Sequence, residues 1–253
     1  MASVASTAIS RTPLRLAGVV AVVACAGLLM HLFMPTPVAA QSTAEATLIA
    51  QIDQAAQHRE ADLLGYTVEE HYTITNSYFQ SPALADVAVV YGRDGGKRYE
   101  VVSRNGPSLL ASTLLNSMLA DEQKLSLNPT RSHAVVSSAN YIMKSTGNEV
   151  MGGRRCVVLA VAPRQKSAYV LNGHIWVDAA SGLLVRIDGI PPQSPSFLAS
   201  KPSITRDYGV MDGFSLAVHS HAVSSSFLTG KTIVDIEYID YHLTPNPTVS
   251  LLH

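Results

Sequence analysis

His219 and His221, one residue apart in "SLAVHSHAV", form the pair most suggestive of metal chemistry in this 253-residue chain. On an extended strand, side chains at i and i+2 face the same way, so two imidazoles here could share a zinc ion. Glu237 or Asp240 on the following strand would have to add a ligand. A structural zinc site wants four ligands, and no second His or Cys cluster supplies the rest, so the expectation is no metal. Cys156 is the second candidate. It sits inside the apolar run "RRCVVLAVAP", where a buried, inert thiol is expected rather than a nucleophile. The stretch "GRDGGKR" (92–98) carries the lysine of a phosphate loop. Tyr91 stands where that loop needs its first glycine, however, and Arg98 replaces the following Ser or Thr. It reads as a hairpin turn. G-x-S-x-G, H-E-x-x-H and C-x-x-C are all missing from the sequence. The expectation is a chain that is not an enzyme and needs no cofactor. A hydrolase assembled from Ser, His and Asp residues distant in sequence stays open.

Composition narrows the class. Apolar residues make up 47% and charged residues 15%, which suits a folded core and not disorder. A formal charge of −1, without a Lys/Arg-rich run, argues against nucleic acid as a partner. Residues 1–40 have no acid, two cations (Arg11 and Arg15) and an apolar run from Leu16 to Met34. "PTPVAA" follows, with Val38 and Ala40 spaced for signal peptidase, so an export signal cleaved after Ala40 is expected. Two alternatives stay open: an uncleaved anchor over 16–34, or lipidation of Cys25 in "VVAC". The expected mature chain, 41–253, is a single periplasmic domain with Cys156 as its only thiol. It can form no internal disulfide, so packing alone must stabilise it.

The elements follow from periodicity. Leu48, Ile49, Ile52, Ala55 and Ala56 are spaced for a helix ending near Gly65. Strands are predicted over 66–79, 83–92 and 96–104, then a second helix over 108–125. A nearly unbroken series of strands follows, separated by the tight turns "MGG", "SG", "DG" and "TG". "IPPQSPSFLASKP" (190–202) interrupts it, with a short helical piece expected around Ser196–Ala199. About ten strands joined by hairpins make an antiparallel sheet, and one so long must curl. Two striped helices with a single sheet to face imply a curved sheet whose hollow side they cover. A ligand pocket is most readily built there.

An N-terminal helix before "GYTV", followed by G-x-x-C-x-x-L-x-x-x-P (Gly153, Cys156, Leu159, Pro163), resembles the bacterial lipoprotein-sorting superfamily. That group includes LolA, LolB and the N-terminal domain of the regulator RseB. "HIWVDAASGLLVRIDG" (174–189) is similar to its signature hairpin. "YGVMDGFSLAVHS" (208–220) is similar to a second one, with Ala217 where proline is usual. The likeness spans roughly 44–243. It implies a mainly β (α+β) fold: an unclosed half-barrel of about ten strands with two or three helices over the concave face. It also implies an apolar cavity holding acyl chains, with no residue performing catalysis.

Parity then names the candidate lining. Ile175, Val177, Val185 and Ile187 alternate along the 174–189 hairpin, opposite to Asp178, Arg186 and Asp188. Val157, Leu159 and Val161 continue the face on the preceding strand, with Ile233 as a contributor from the last. Leu110, Leu114 and Met118 on the second helix would roof it, methionine adapting to varied apolar guests. Each of these residues could equally fill a packed core. Trp176 has the outward parity, as a structural anchor. The expected function is binding of lipid or lipoprotein acyl chains in outer-membrane transport, with transient membrane contact. The alternative is a regulatory or sensor module that docks another envelope protein.

Overall fold

The structure, a computed structural model, describes residues 37–195 and 200–247. Helix α1 (Pro37–Asp62) leads into β1 (Leu63–Asn76), β2 (Ala83–Gly92) and β3 (Gly96–Asn105). A π-helical turn, Leu109–Leu114, runs into α2 (Leu115–Ser126), and a short α3 (Thr130–Ala134) follows. Seven more strands complete the chain: β4 (Tyr141–Met151), β5 (Arg154–Pro163), β6 (Asn172–Asp178), β7 (Leu184–Ile190), β8 (Ser203–Met211), β9 (Phe214–Ser226) and β10 (Gly230–Pro245).

All ten strands form one antiparallel sheet in the order β3-β2-β1-β10-β9-β8-β7-β6-β5-β4. Every sequential neighbour from β4 to β10 is a hairpin partner, and β10 returns to pair with β1. The two edges, β3 and β4, are not paired with each other. The chain crosses from one to the other through α2 and α3, so the barrel stays open. Five of the strand pairings, β1–β10, β2–β3, β4–β5, β6–β7 and β8–β9, contain a bulge or register shift, which bends a strand and tightens the twist.

The helices fill the hollow in two places. Leu110, Ala111, Leu115, Met118 and Leu119 bury against β1, β2, β9 and β10. Leu48 and Ile52 of α1 bury against β4–β7. Farther along, α1 crosses the turns at one end of the sheet. Gln51 reaches the Ala180 carbonyl at 3.5 Å, and Arg59 donates to the Ser215 carbonyl at 2.8 Å. Arg93 donates to the Glu60 and Ala61 carbonyls at 2.9 and 2.8 Å.

Several boundaries differ from the sequence expectation. α1 ends at Asp62 rather than near Gly65, because Leu63 and Gly65 already pair with Pro245 and Thr244 of β10. A side chain at Gly65 would meet the Tyr91 carbonyl at 2.6 Å, so the strand starts on a residue without one. The linker between α2 and β4 contains α3, which the periodicity did not single out. The helical piece expected around Ser196–Ala199, the predicted signal segment before residue 37 and Cys25 lie outside the described residues.

Candidate functional site

Inward parity is apolar along most of the sheet, and between sheet and helices it leaves two chambers. The first, about 260 Å³, is walled by Val161, Ile175 and Ile187 of β5–β7, Ile204 and Tyr208 of β8, and Val234 and Ile236 of β10. Met118 of α2 faces them. The second, about 280 Å³, lies under α1 between Ile52, Ala55 and Ala56 on one side and Leu184, Phe214 and Leu216 on the other. Glu122, Leu125, Ala134, Arg206 and Tyr208 border both chambers. The two are therefore neighbours across one layer of side chains.

That layer is charged. Lys97 of β3 places its Nζ 2.9 Å from Glu122 Oε2 and 3.4 Å from Glu70 Oε1. Arg206 of β8 reaches Glu122 Oε1 at 3.5 Å and donates through Nε to Ser220 Oγ at 2.8 Å. Tyr72 donates its hydroxyl to Glu70 Oε2 at 2.5 Å. Two cations and two carboxylates balance, so the belt carries no net charge. Burial pulls the Lys97 ammonium towards neutrality, but Glu122 and Glu70 outweigh it and hold its pKa well above the ordinary value. Burial likewise works against the Glu122 carboxylate, yet Lys97 and Arg206 bring its pKa down to about 2. Lys97, Glu122 and Arg206 thus stay ionised at neutral pH, and the belt ties β1, β3, α2 and β8 together across the hollow.

Glu70, Glu122 and Arg206 were not singled out from the sequence, and Lys97 only as the lysine of a rejected phosphate loop. The signal was there: Glu70 shares parity with Val68 and Tyr72, Lys97 with Tyr99 and Val101, and Arg206 with Ile204 and Tyr208. A charge on a strand's apolar parity must find a partner when the strand curls.

The predicted lining divides. Val161, Ile175, Ile187 and Met118 do wall the first chamber. Leu159 and Val177 have no exposure at all and belong to the closed core under α1, as does the half-buried Val157 at its border. Leu110 and Leu114 pack on the core between α2 and β1–β2 and reach neither chamber. Val185 is buried but borders neither chamber: a bulge pairs Trp176 with Arg186 and Val177 with Leu184, and Leu184 borders the second chamber. Ile233 falls on the opposite parity to Thr232, Val234 and Ile236, which line the first chamber.

The outward face holds the other candidates. His221 Nδ1 lies 2.6 Å from Asp235 Oδ1. His219 lies 3.6 Å from the same oxygen and 3.8 Å from Asp207, whose other oxygen takes the Arg186 Nε. Asp235, not Glu237 or Asp240, is the partner, because it stands opposite His221 in the β9–β10 register. Among the described residues no three metal-binding side chains group as a metal site requires. Trp176 points outward, as its parity required, and its indole donates to Glu149. Cys156 is buried, and burial raises its thiol pKa, the opposite of activation.

Comparison with known proteins bears on the family. No curated protein matches the sequence. Among solved structures, a LolA superfamily protein from Nitrosomonas europaea aligns at 10% identity and TM-score 0.43, covering 79% of this chain and 96% of that one. A putative outer membrane lipoprotein-sorting protein domain from Vibrio parahaemolyticus aligns at 15% and 0.42, covering 79% and 93%. MucB in its complex with MucA from Pseudomonas aeruginosa aligns at 12% and 0.25, covering 76% and 93%. Among the described residues no helix is long and apolar enough to cross a membrane. Residues 89–194, from within β2 to just past β7, match the family model of the MucB/RseB N-terminal domain. Over that span the chain is similar to the MucB/RseB N-terminal domain.

Proposed function

We propose that this protein is a non-catalytic component of the cell envelope that holds acyl chains of a lipid or lipoprotein in the hollow of its half-barrel. The observation that carries the reading is the first chamber: a mostly apolar wall contributed by α2 and strands β5–β8 and β10, in which Glu122 and Arg206 of the charge-balanced belt, Asp121 and a few hydroxyls are the polar groups. A guest there needs no hydrogen bonds from the wall. Each methylene buried would contribute about 0.8 kcal/mol, so ten give about 8 kcal/mol before the costs of association. That range permits both capture and release. The test is native mass spectrometry of the exported protein from an envelope extract, together with displacement of a fluorescent fatty acid. Co-purifying lipid and saturable displacement are expected; lipid-free protein that binds no fatty acid would overturn the reading.

The match of 89–194 to the MucB/RseB N-terminal domain favours a second reading, a regulatory module that docks another envelope protein. Lipid-free protein recovered with one stoichiometric protein partner would select it.

A further inference from the structure

The β9–β10 turn carries two fully presented apolar side chains, Phe227 at 96% and Leu228 at 82% exposure. Tyr78, in the neighbouring β1–β2 connection, is 64% exposed. Hydrogen bonds fix the turn that presents them. Tyr78 donates its hydroxyl to the Phe227 carbonyl at 3.2 Å, and Asn76 donates to the Thr229 carbonyl at 2.8 Å. Ser226 Oγ accepts from the Thr229 N–H at 3.0 Å. The turn closes on Gly230 at φ +70°, where a Cβ would meet Ser77 Oγ at 2.3 Å.

The antiparallel order puts this tip at the end of the sheet opposite the turns that α1 crosses. The other described connections at this end include 77–82, 106–108, 135–140, 164–171, 191–195 and 200–202, and with 227–230 they contain no Asp or Glu. Arg104, Arg164, Lys166, Lys201 and Lys231 stand in or directly beside them, all exposed. Carboxylates on adjoining elements are engaged: Asp53 by Ser138, Asp86 by His71 and Ser103, Asp188 by Thr205. The first chamber reaches the same end, since Ser224 and Thr232, which pair just below the tip, line it.

We infer that this end of the half-barrel docks on an anionic lipid surface, with Phe227 and Leu228 entering the interface and the cations over the headgroups. Exposed aromatic and aliphatic side chains within an acid-free basic rim are the combination that binds such a surface. A protein partner would be met by the same apolar tip, but it would not require every loop at this end to lack acids. The inference does not depend on what the chambers hold.

The test is vesicle flotation of the exported protein, expressed from the full chain. Vesicles are phosphatidylcholine alone and an equimolar mixture with phosphatidylglycerol. The parent is expected to float with the mixed vesicles, and much less with phosphatidylcholine or in high salt. The variant Phe227→Ser/Leu228→Ser should lose about tenfold or more in binding with an unchanged melting temperature, because neither side chain is packed. Lys201→Gln/Lys231→Gln should weaken binding to the mixed vesicles only. Ile187→Glu, in the chamber wall, should float like the parent even where fatty-acid binding fails, which separates this inference from the proposed function. A parent that floats with neither vesicle, or a tip variant that floats equally well, would overturn it.

Discussion

Replacing Lys97 with methionine tests whether the belt is a buried structural element. The substitution keeps the aliphatic stem and removes the ammonium. Side-chain exposure is 14% for Lys97, 2% for Glu70 and 25% for Glu122. Without the lysine, Glu70 retains the Tyr72 hydroxyl and no cation, while Glu122 retains Arg206 at 3.5 Å. Removing one partner of a buried pair costs about 3–5 kcal/mol, since the orphaned charge stays out of water. In a domain of this size each kcal/mol moves the melting temperature by about 2–4 °C. Thermal unfolding at pH 7, followed by circular dichroism, should therefore show a drop of about 6–20 °C. Lys97→Met/Glu70→Gln should recover a large part of it, because the second change removes the stranded charge and keeps an acceptor for Tyr72. A single variant melting within ~2 °C of the parent would refute the reasoning. The carboxylates would then be hydrated, and the belt would not divide the hollow.

Val177→Glu and Ile187→Glu should separate core from chamber within one hairpin: the first unfolds the protein, while the second leaves a cooperative melt and abolishes fluorescent fatty-acid displacement. If both unfold, Ile187 does not face usable space. The lowered pKa of Glu122 means its carboxylate stabilises the fold above its ordinary range near 4.5, and that contribution is lost as pH falls towards about 2. Urea unfolding between pH 6 and pH 3 should thus show a steeper acid loss for the parent than for Glu122→Gln; parallel curves would contradict the assignment. Gly173→Ala would set a Cβ 2.1 Å from the Asp188 carbonyl and 2.6 Å from Gly189 Cα, both backbone atoms that cannot rotate away. About 1–3 kcal/mol of destabilisation is expected from chemical denaturation, and an unchanged midpoint would show that the β6–β7 pairing is looser than described.

The sequence by itself determined the strands, the two long helices, the hairpin order and most of the strands' inward and outward faces. Strict alternation in "GHIWVDAASGLLVRIDG" and turn glycines such as Gly182, at φ +71°, are local signals that act over a few residues. The short motifs around Gly153–Pro163 and Tyr208–Ser220 likewise pointed to the family that residues 89–194 then matched. Only tertiary structure decided which inward residues meet space and which meet atoms. Leu159 and Ile175 stand opposite each other on adjacent strands, yet only Ile175 borders a chamber. The difference is where α1 lies across the sheet, which no strand period encodes. A bulge, by setting two residues against one, pairs Val177 with Leu184, and Leu184 rather than Val185 borders a chamber. The belt also needed the fold: Glu70, Lys97, Glu122 and Arg206 are spread over more than half the described chain. Their pairing exists only because the curled sheet brings β1, β3 and β8 around α2.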